Sequence, residues 1–136
     1  MAAFILDSSL AAAWCFTDEA TSYTNTVLSA VSSLTEAAAP RLWAYEIRNT
    51  VLMGIRRKRI TRAHADAFLK SLENLPVRLI DPPSYDAVFE LADRHGLTAY
   101  DAAYLDLAVR ERLPIASLDS ALLRAAQACG LAAFQP

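Results

Sequence analysis

The chain alternates short apolar runs with longer segments of helical periodicity. Ala3 to Leu6 is an uninterrupted apolar run of strand length, and Val77 to Ile80 and Ile115 to Ser117 are two more. Glu36 to Ala39 is a weaker strand candidate that stops at Pro40. Between them the pattern predicts helices over Ser8 to Phe16, Ala20 to Ser33, Arg41 to Arg57, Thr61 to Leu72, Ser84 to His95, Thr98 to Arg112 and Ser120 to Cys129. Thr61 has the character of an N-cap, and Gly96 that of a residue closing a helix. Leu131 to Phe134 is a candidate last strand. Buried strands separated by helices predict an α/β protein, a three-layer α/β/α sandwich on a mostly parallel sheet.

Length and composition bound this picture. The 136 residues predict one domain over 1–136, and 54% hydrophobic content is enough for a core without disulfide or metal staples. The apolar start is cut short by Asp7 and has no basic residue before it, which argues against a signal peptide. The longest apolar run, Leu10 to Phe16, is far too short to span a bilayer. A cytoplasmic protein with no membrane association is expected. Cys15 and Cys129 are expected to be buried free thiols.

Net charge is −2, so the chain is no general polyanion binder. The charge is unevenly spread: Arg56, Arg57, Lys58, Arg59 and Arg62 fall close together. They read equally well as a solvated helix end, where cations complement the macrodipole, or as a phosphate-contacting rim.

Four acids stand in apolar company: Asp7, Glu46, Asp101 and Asp119. A carboxylate there is costly unless paired, hydrogen-bonded or bound to metal. Asp7 and Asp119 each end a strand and begin a helix, so each could be an N-cap. Asp101 with Thr98 has the Thr-x-x-Asp spacing of a capping box. Glu46 lies more than a turn inside its helix, too deep to cap. At about 100° per residue it shares a face with Leu42, Asn49, Thr50 and Met53, which reads as an inner face. In a parallel sheet the strand ends at Asp7 and Asp119 and the helix start at Asp101 converge on one edge. Asp106, roughly 140° around the helix from Asp101, should face elsewhere. An all-carboxylate cluster suits Mg²⁺ or Mn²⁺ and disfavours Zn²⁺. His64 and His95 read as surface or cap residues, and Trp14, Trp43 and the tyrosines as core rather than base-stacking groups.

Phe-Ile-Leu-Asp7-Ser-Ser, Glu46-Ile-Arg-Asn49, Leu97-Thr-Ala-Tyr-Asp101-Ala-Ala-Tyr and Pro114-Ile-Ala-Ser117-Leu-Asp119 resemble, in order and spacing, the PIN-domain family. Within it they resemble the VapC-type toxins of toxin–antitoxin pairs. The resemblance covers essentially the whole chain. It implies metal-dependent endonuclease cleavage of RNA to 5′-phosphate and 3′-hydroxyl ends, a homodimer, and inhibition by a VapB-like antitoxin. The expected antitoxin groove is the helical stretch Arg41 to Leu72. It implies that Asp7, Asp101 and Asp119 hold Mg²⁺ or Mn²⁺ and that Glu46 holds a water or second ion. Ser9, Asn49 and Ser117 would be supporting residues, or only caps and backbone hydrogen-bonders. Two rivals remain. A phosphoacceptor receiver domain needs a Lys at a late strand end, whereas Lys58 and Lys70 lie in the helical middle. A catalytically inactive PIN-fold module that binds RNA or protein would have no use for four mutually repelling acids.

Overall fold

A computed structural model describes residues 1–32 and 35–136. The strands are β1 (Ala2–Leu6), β2 (Glu36–Ala39), β3 (Val77–Leu79) and β4 (Ile115–Ala116). They form one sheet in the order β3-β2-β1-β4, parallel at every pairing. The helices are α1 (Ser8–Ala13), α2 (Ser22–Ser32), α3 (Leu42–Arg56), α4 (Arg62–Glu73), α5 (Tyr85–His95), α6 (Ala99–Glu111) and α7 (Ser120–Ala128). A 3₁₀ turn at Thr17–Glu19 fills the gap between the first two predicted helices, and α1 stops at Ala13, short of the expected Phe16.

Phe4, Ile5 and Leu6 are fully buried because β1 lies inside the sheet with both faces covered, which is why its sequence does not alternate. Helices α1, α2, α3 and α4 pack on one another, and α5, α6 and α7 do likewise. Right-handed crossovers put these groups on opposite faces, giving the expected three layers. The chain runs from β1 outward to β3 and then crosses to β4 on the other side of β1. The order of the sheet therefore reverses between β1 and β4, and the crevice at their carboxyl ends is where such a sheet places chemistry.

The caps follow the sequence signals. The Thr61 hydroxyl accepts from His64 N, and Gly96 closes α5 at φ 64°. Other expectations are corrected. Leu131 to Phe134 is no strand; Ala133 forms only an isolated parallel bridge to Ile115, and the segment is docked by Phe134 stacked on Phe4 at 3.9 Å. Cys129 is partly exposed, with Sγ 3.6 Å from His95 Nε2, while Cys15 is buried as expected. His64 does not simply face solvent: its Nε2 lies 2.7 Å from the Cys15 carbonyl. Trp43 is core, and Trp14 donates to the Thr24 carbonyl at 2.8 Å. The expected helix end at Ser33 lies outside the described residues. Among the described residues no helix is long and apolar enough to cross a membrane.

Helix α3 is anchored where Gly54 meets the Phe16 ring. A Cβ at Gly54 would fall 2.8 Å from Phe16 Cε1, and that ring is itself buried. A side chain here overpacks a site that cannot relax freely. Gly54→Val is expected to destabilise the fold by about 1–3 kcal/mol. A thermal or urea unfolding curve coincident with wild type would contradict this packing.

Candidate active site

The carboxyl ends of β1 and β4 bring Asp7 and Asp119 together. The Asp7 amide donates to the Ala116 carbonyl at 2.9 Å, which locks the start of α1 to the end of β4. Asp7 occupies the N-cap position of α1 but makes no side-chain cap hydrogen bond. Its carboxylate turns instead to two hydroxyls: Ser9 Oγ donates to Oδ2 at 2.6 Å and Ser117 Oγ donates to the same atom at 2.7 Å. Each hydroxyl in turn accepts a backbone amide, Leu118 N for Ser9 and Asp119 N for Ser117. With its lone pair engaged by an amide, each hydroxyl directs its single proton to Asp7. Both protons thus converge on Oδ2, and no side chain is bonded to Oδ1 among the described residues.

Glu46 repeats this arrangement. Tyr104 OH donates to Oε1 at 2.7 Å and Ser8 Oγ donates to the same oxygen at 3.1 Å, leaving Oε2 without a protein donor among the described residues. Glu46 is not on the inner face of α3, contrary to the periodicity reading. The buried stripe is Trp43, Ile47, Val51 and Gly54, and Glu46 stands at its border, with Asn49 and Thr50 exposed beyond it. The stripe is rotated because α3 packs on both α1 and α4. Asp119 does cap α7, as its position allowed: Oδ1 accepts Ala121 N at 2.9 Å and Leu122 N at 3.3 Å. Its other oxygen takes no amide. Asp7 and Glu46 are thus each held by side-chain donors at one oxygen, and the Asp119 carboxyl, held by amides at Oδ1, also shares a hydrogen bond with the carboxyl of Asp101.

Asp101 begins α6, where Thr98 Oγ1 accepts its amide at 3.1 Å. Its own carboxyl is raised to about 6, first by burial and then by the charges of Asp119, Asp7 and Glu46. Burial also raises Asp7, against the Ser9 and Ser117 hydrogen bonds, and the Asp119 charge adds to the rise. Glu46 is raised by burial against its Tyr104 and Ser8 donors, with Asp7 contributing. The four acids named from sequence thus share one electrostatic environment. Asp106 does not belong to it: buried elsewhere on α6, it pairs with Arg110 at 2.9 Å.

Of the supporting residues, Ser9 and Ser117 hold Asp7. Asn49 lines a cleft of about 520 Å³ with Glu46, Ser8, Ser9 and Thr50 but touches none of the acids by hydrogen bond. Sequence reasoning missed Ser8 and Tyr104. Tyr104 lies one turn beyond Asp101 in an apolar helix, and a buried tyrosine hydroxyl needs an acceptor, which was a readable signal. Glu46 also raises the Tyr104 hydroxyl, after burial, so that it remains a donor.

The donor set is oxygen throughout, which fits a hard divalent cation. Among the described residues no three Asp, Glu, His or Cys side chains stand close enough to form a finished ligand cage. The Asp101 carboxyl, raised first by burial, feels the charges of Asp119, Asp7 and Glu46 and shares a hydrogen bond with the Asp119 carboxyl.

The PIN domain family matches residues 4–128, and the chain belongs to that family, a nuclease-type fold whose members typically use divalent metals. The crystal structure of PAE2754 from Pyrobaculum aerophilum superposes with a TM-score of 0.74 and 24% identity, over 91% of this chain and 84% of that one. At that identity the likeness speaks for the fold. A comparison with curated proteins finds no match.

The raised Asp101 carboxyl has a consequence for stability. The folded state keeps a proton that the unfolded chain releases near 3.8, so this contribution is present below about pH 4 and is lost as pH rises through about 6. In EDTA, Asp101→Asn should be more stable than wild type near neutral pH. The expected gain is on the order of 1 kcal/mol after discounting for solvent screening, closing towards about pH 4. Equal urea midpoints at neutral pH would show that the carboxylates do not repel.

Proposed function

We propose that the protein is a Mg²⁺- or Mn²⁺-dependent endoribonuclease, acting across residues 1–136 as one nuclease unit. The observation that carries this reading is the pattern at Asp7 and Glu46, where side-chain hydroxyls hold one oxygen of each and no side chain among the described residues is bonded to the other, beside the hydrogen-bonded carboxyls of Asp101 and Asp119. Asp7, Asp101 and Asp119 hold the cation. When bound, the cation neutralises the phosphodiester and lowers the pKa of a water for in-line attack. Glu46, oriented through Oε1 by Tyr104 and Ser8, uses Oε2 to position the attacking water. Attack at phosphorus breaks the P–O3′ bond and leaves 5′-phosphate and 3′-hydroxyl ends. Ser9 and Ser117 keep Asp7 ionised and oriented, as partners behind a ligand do.

The resemblance to VapC-type toxins supports a finer role, as the toxin of a VapBC-type pair working in the cytoplasm as a homodimer under antitoxin control. Exposed Tyr45, Tyr85, Phe89 and Tyr100 support partner binding, because large aromatic surface left in water marks interaction sites. The expected antitoxin groove contains a cavity of about 190 Å³ lined by Trp43, Ala44 and Leu72 and by the paired Arg48 and Glu73. An inactive binding module is disfavoured, since it has no need of the ordered donors on each acid.

Wild-type protein with Mg²⁺ or Mn²⁺ should cleave single-stranded RNA, and Asp7→Asn should lower the rate by about 100-fold or more. Equal cleavage by both, or activity undiminished in EDTA, would refute the proposal.

A further inference from the structure

Seven of the 13 arginine and lysine side chains are ion-paired. Among the described residues, three of the six that are not stand consecutively, Arg56, Arg57 and Lys58, at the carboxyl end of α3. Arg57 lies eleven residues beyond Glu46, within about 20° of the same helix face and roughly 16 Å along the axis. Between them that face carries Asn49, Thr50 and Met53, none of them fully buried. The cleft beside Glu46 follows this stripe: Asn49 and Thr50 line it, and so does Glu19. Glu19 would repel a polyanion; Arg59, bonded to it at 2.9 Å and to Asp18 at 3.1 Å, offsets part of that repulsion.

The backbone offers a second, independent observation. Helix α3 ends in a Schellman turn, with Lys58 N bonded to the Ile55 carbonyl and Arg59 N to that of Gly54. Lys58 occupies its left-handed position at φ 61°, where glycine is unstrained. A charged side chain thus stands where glycine would carry no backbone strain. Arg112 is the other non-glycine residue at positive φ, closing α6 at the opposite end of the sheet from the carboxylates.

We infer that the RNA strand leaves the carboxylate site along the exposed face of α3 and that Arg57 and Lys58 grip its phosphates at the far end. This rests on the ribonuclease reading and adds a path to it. Asn49, whose side chain has no hydrogen-bond partner among the described residues, faces the strand midway, where its amide can meet a base edge or a 2′-hydroxyl.

The test is fluorescence anisotropy with a labelled single-stranded oligonucleotide RNA, using Asp7→Asn protein so that the RNA stays intact, across a series of KCl concentrations. Adding Arg57→Ser or Lys58→Gly should weaken binding about threefold or more and reduce the salt slope by about 0.7 for each phosphate that is no longer neutralised. Lys58→Gly should do so while raising the melting temperature, which separates a weaker grip from a weaker fold. Arg112→Gly removes a matched charge and a matched strain, and should raise the melting temperature and leave RNA affinity unchanged. Unchanged affinity in both α3 variants, an equal weakening in Arg112→Gly, or no RNA binding by the parent would overturn the path. Equally tight binding of a charge-matched polyglutamate would overturn it in favour of an acidic protein partner. Failure of the ribonuclease reading is seen separately, as intact RNA after incubation with wild-type protein and Mg²⁺ while binding persists.

Discussion

A carboxylate that is 3% exposed, as Asp7 is, must be neutralised by a proton, a partner or a cation. Among the described residues the protein supplies two hydroxyl donors and the Ser8 amide, and no cation. Those hydroxyls stabilise the charge only partly, and burial still prevails in raising the carboxyl. Meeting this constraint organises the whole edge of the sheet. Ser9 is on α1, Ser117 follows β4, and the Asp7 amide is tied to Ala116, so the loops after the two adjacent strands are held by one side chain and its backbone.

The same logic extends to its neighbours. Tyr104 on α6 and Ser8 on α1 meet on one oxygen of Glu46 from α3, joining helices from the two faces of the sheet around the site. Asp119 is held by the amides of its own helix. The side-chain donors of Asp7 and of Glu46 each meet on one oxygen, so these two carboxylates from different elements are held at fixed positions. A charge at Asp101 completes the set at the cost of raising its own carboxyl. Arrangements that raise several acids together store electrostatic free energy that a divalent cation can release.

Much of this was legible in the sequence. The strand runs, the caps at Thr61 and Gly96 and the convergence of Asp7, Asp101 and Asp119 follow from local signals and from the geometry of parallel sheets. Glu46 was singled out for a reason that needed correction: it stands at the border of the buried stripe, because the rotation of α3 is set by packing against two other helices, which periodicity alone cannot fix. Asp7 was legible as a possible cap, yet its carboxylate turns chiefly to the hydroxyls of Ser9 on α1 and Ser117 after β4. Tyr104 and Ser8 were hidden because their importance lies in which oxygen they reach across the fold. Leu131 to Phe134 misled for a related cause, since an apolar tail can dock through one ring stack without becoming a strand.

The central claim is that four carboxylates, brought together by the reversal of sheet order, form one site for a hard divalent cation. Titration of metal-free protein with Mn²⁺ by calorimetry, at mildly acid pH in buffers of different ionisation enthalpy, tests it most directly. The account predicts saturable binding with net proton release, because the proton on Asp101 must leave, and predicts that Asp101→Asn loses the released proton. Absence of saturable binding, or binding with no proton release in wild type, would contradict it.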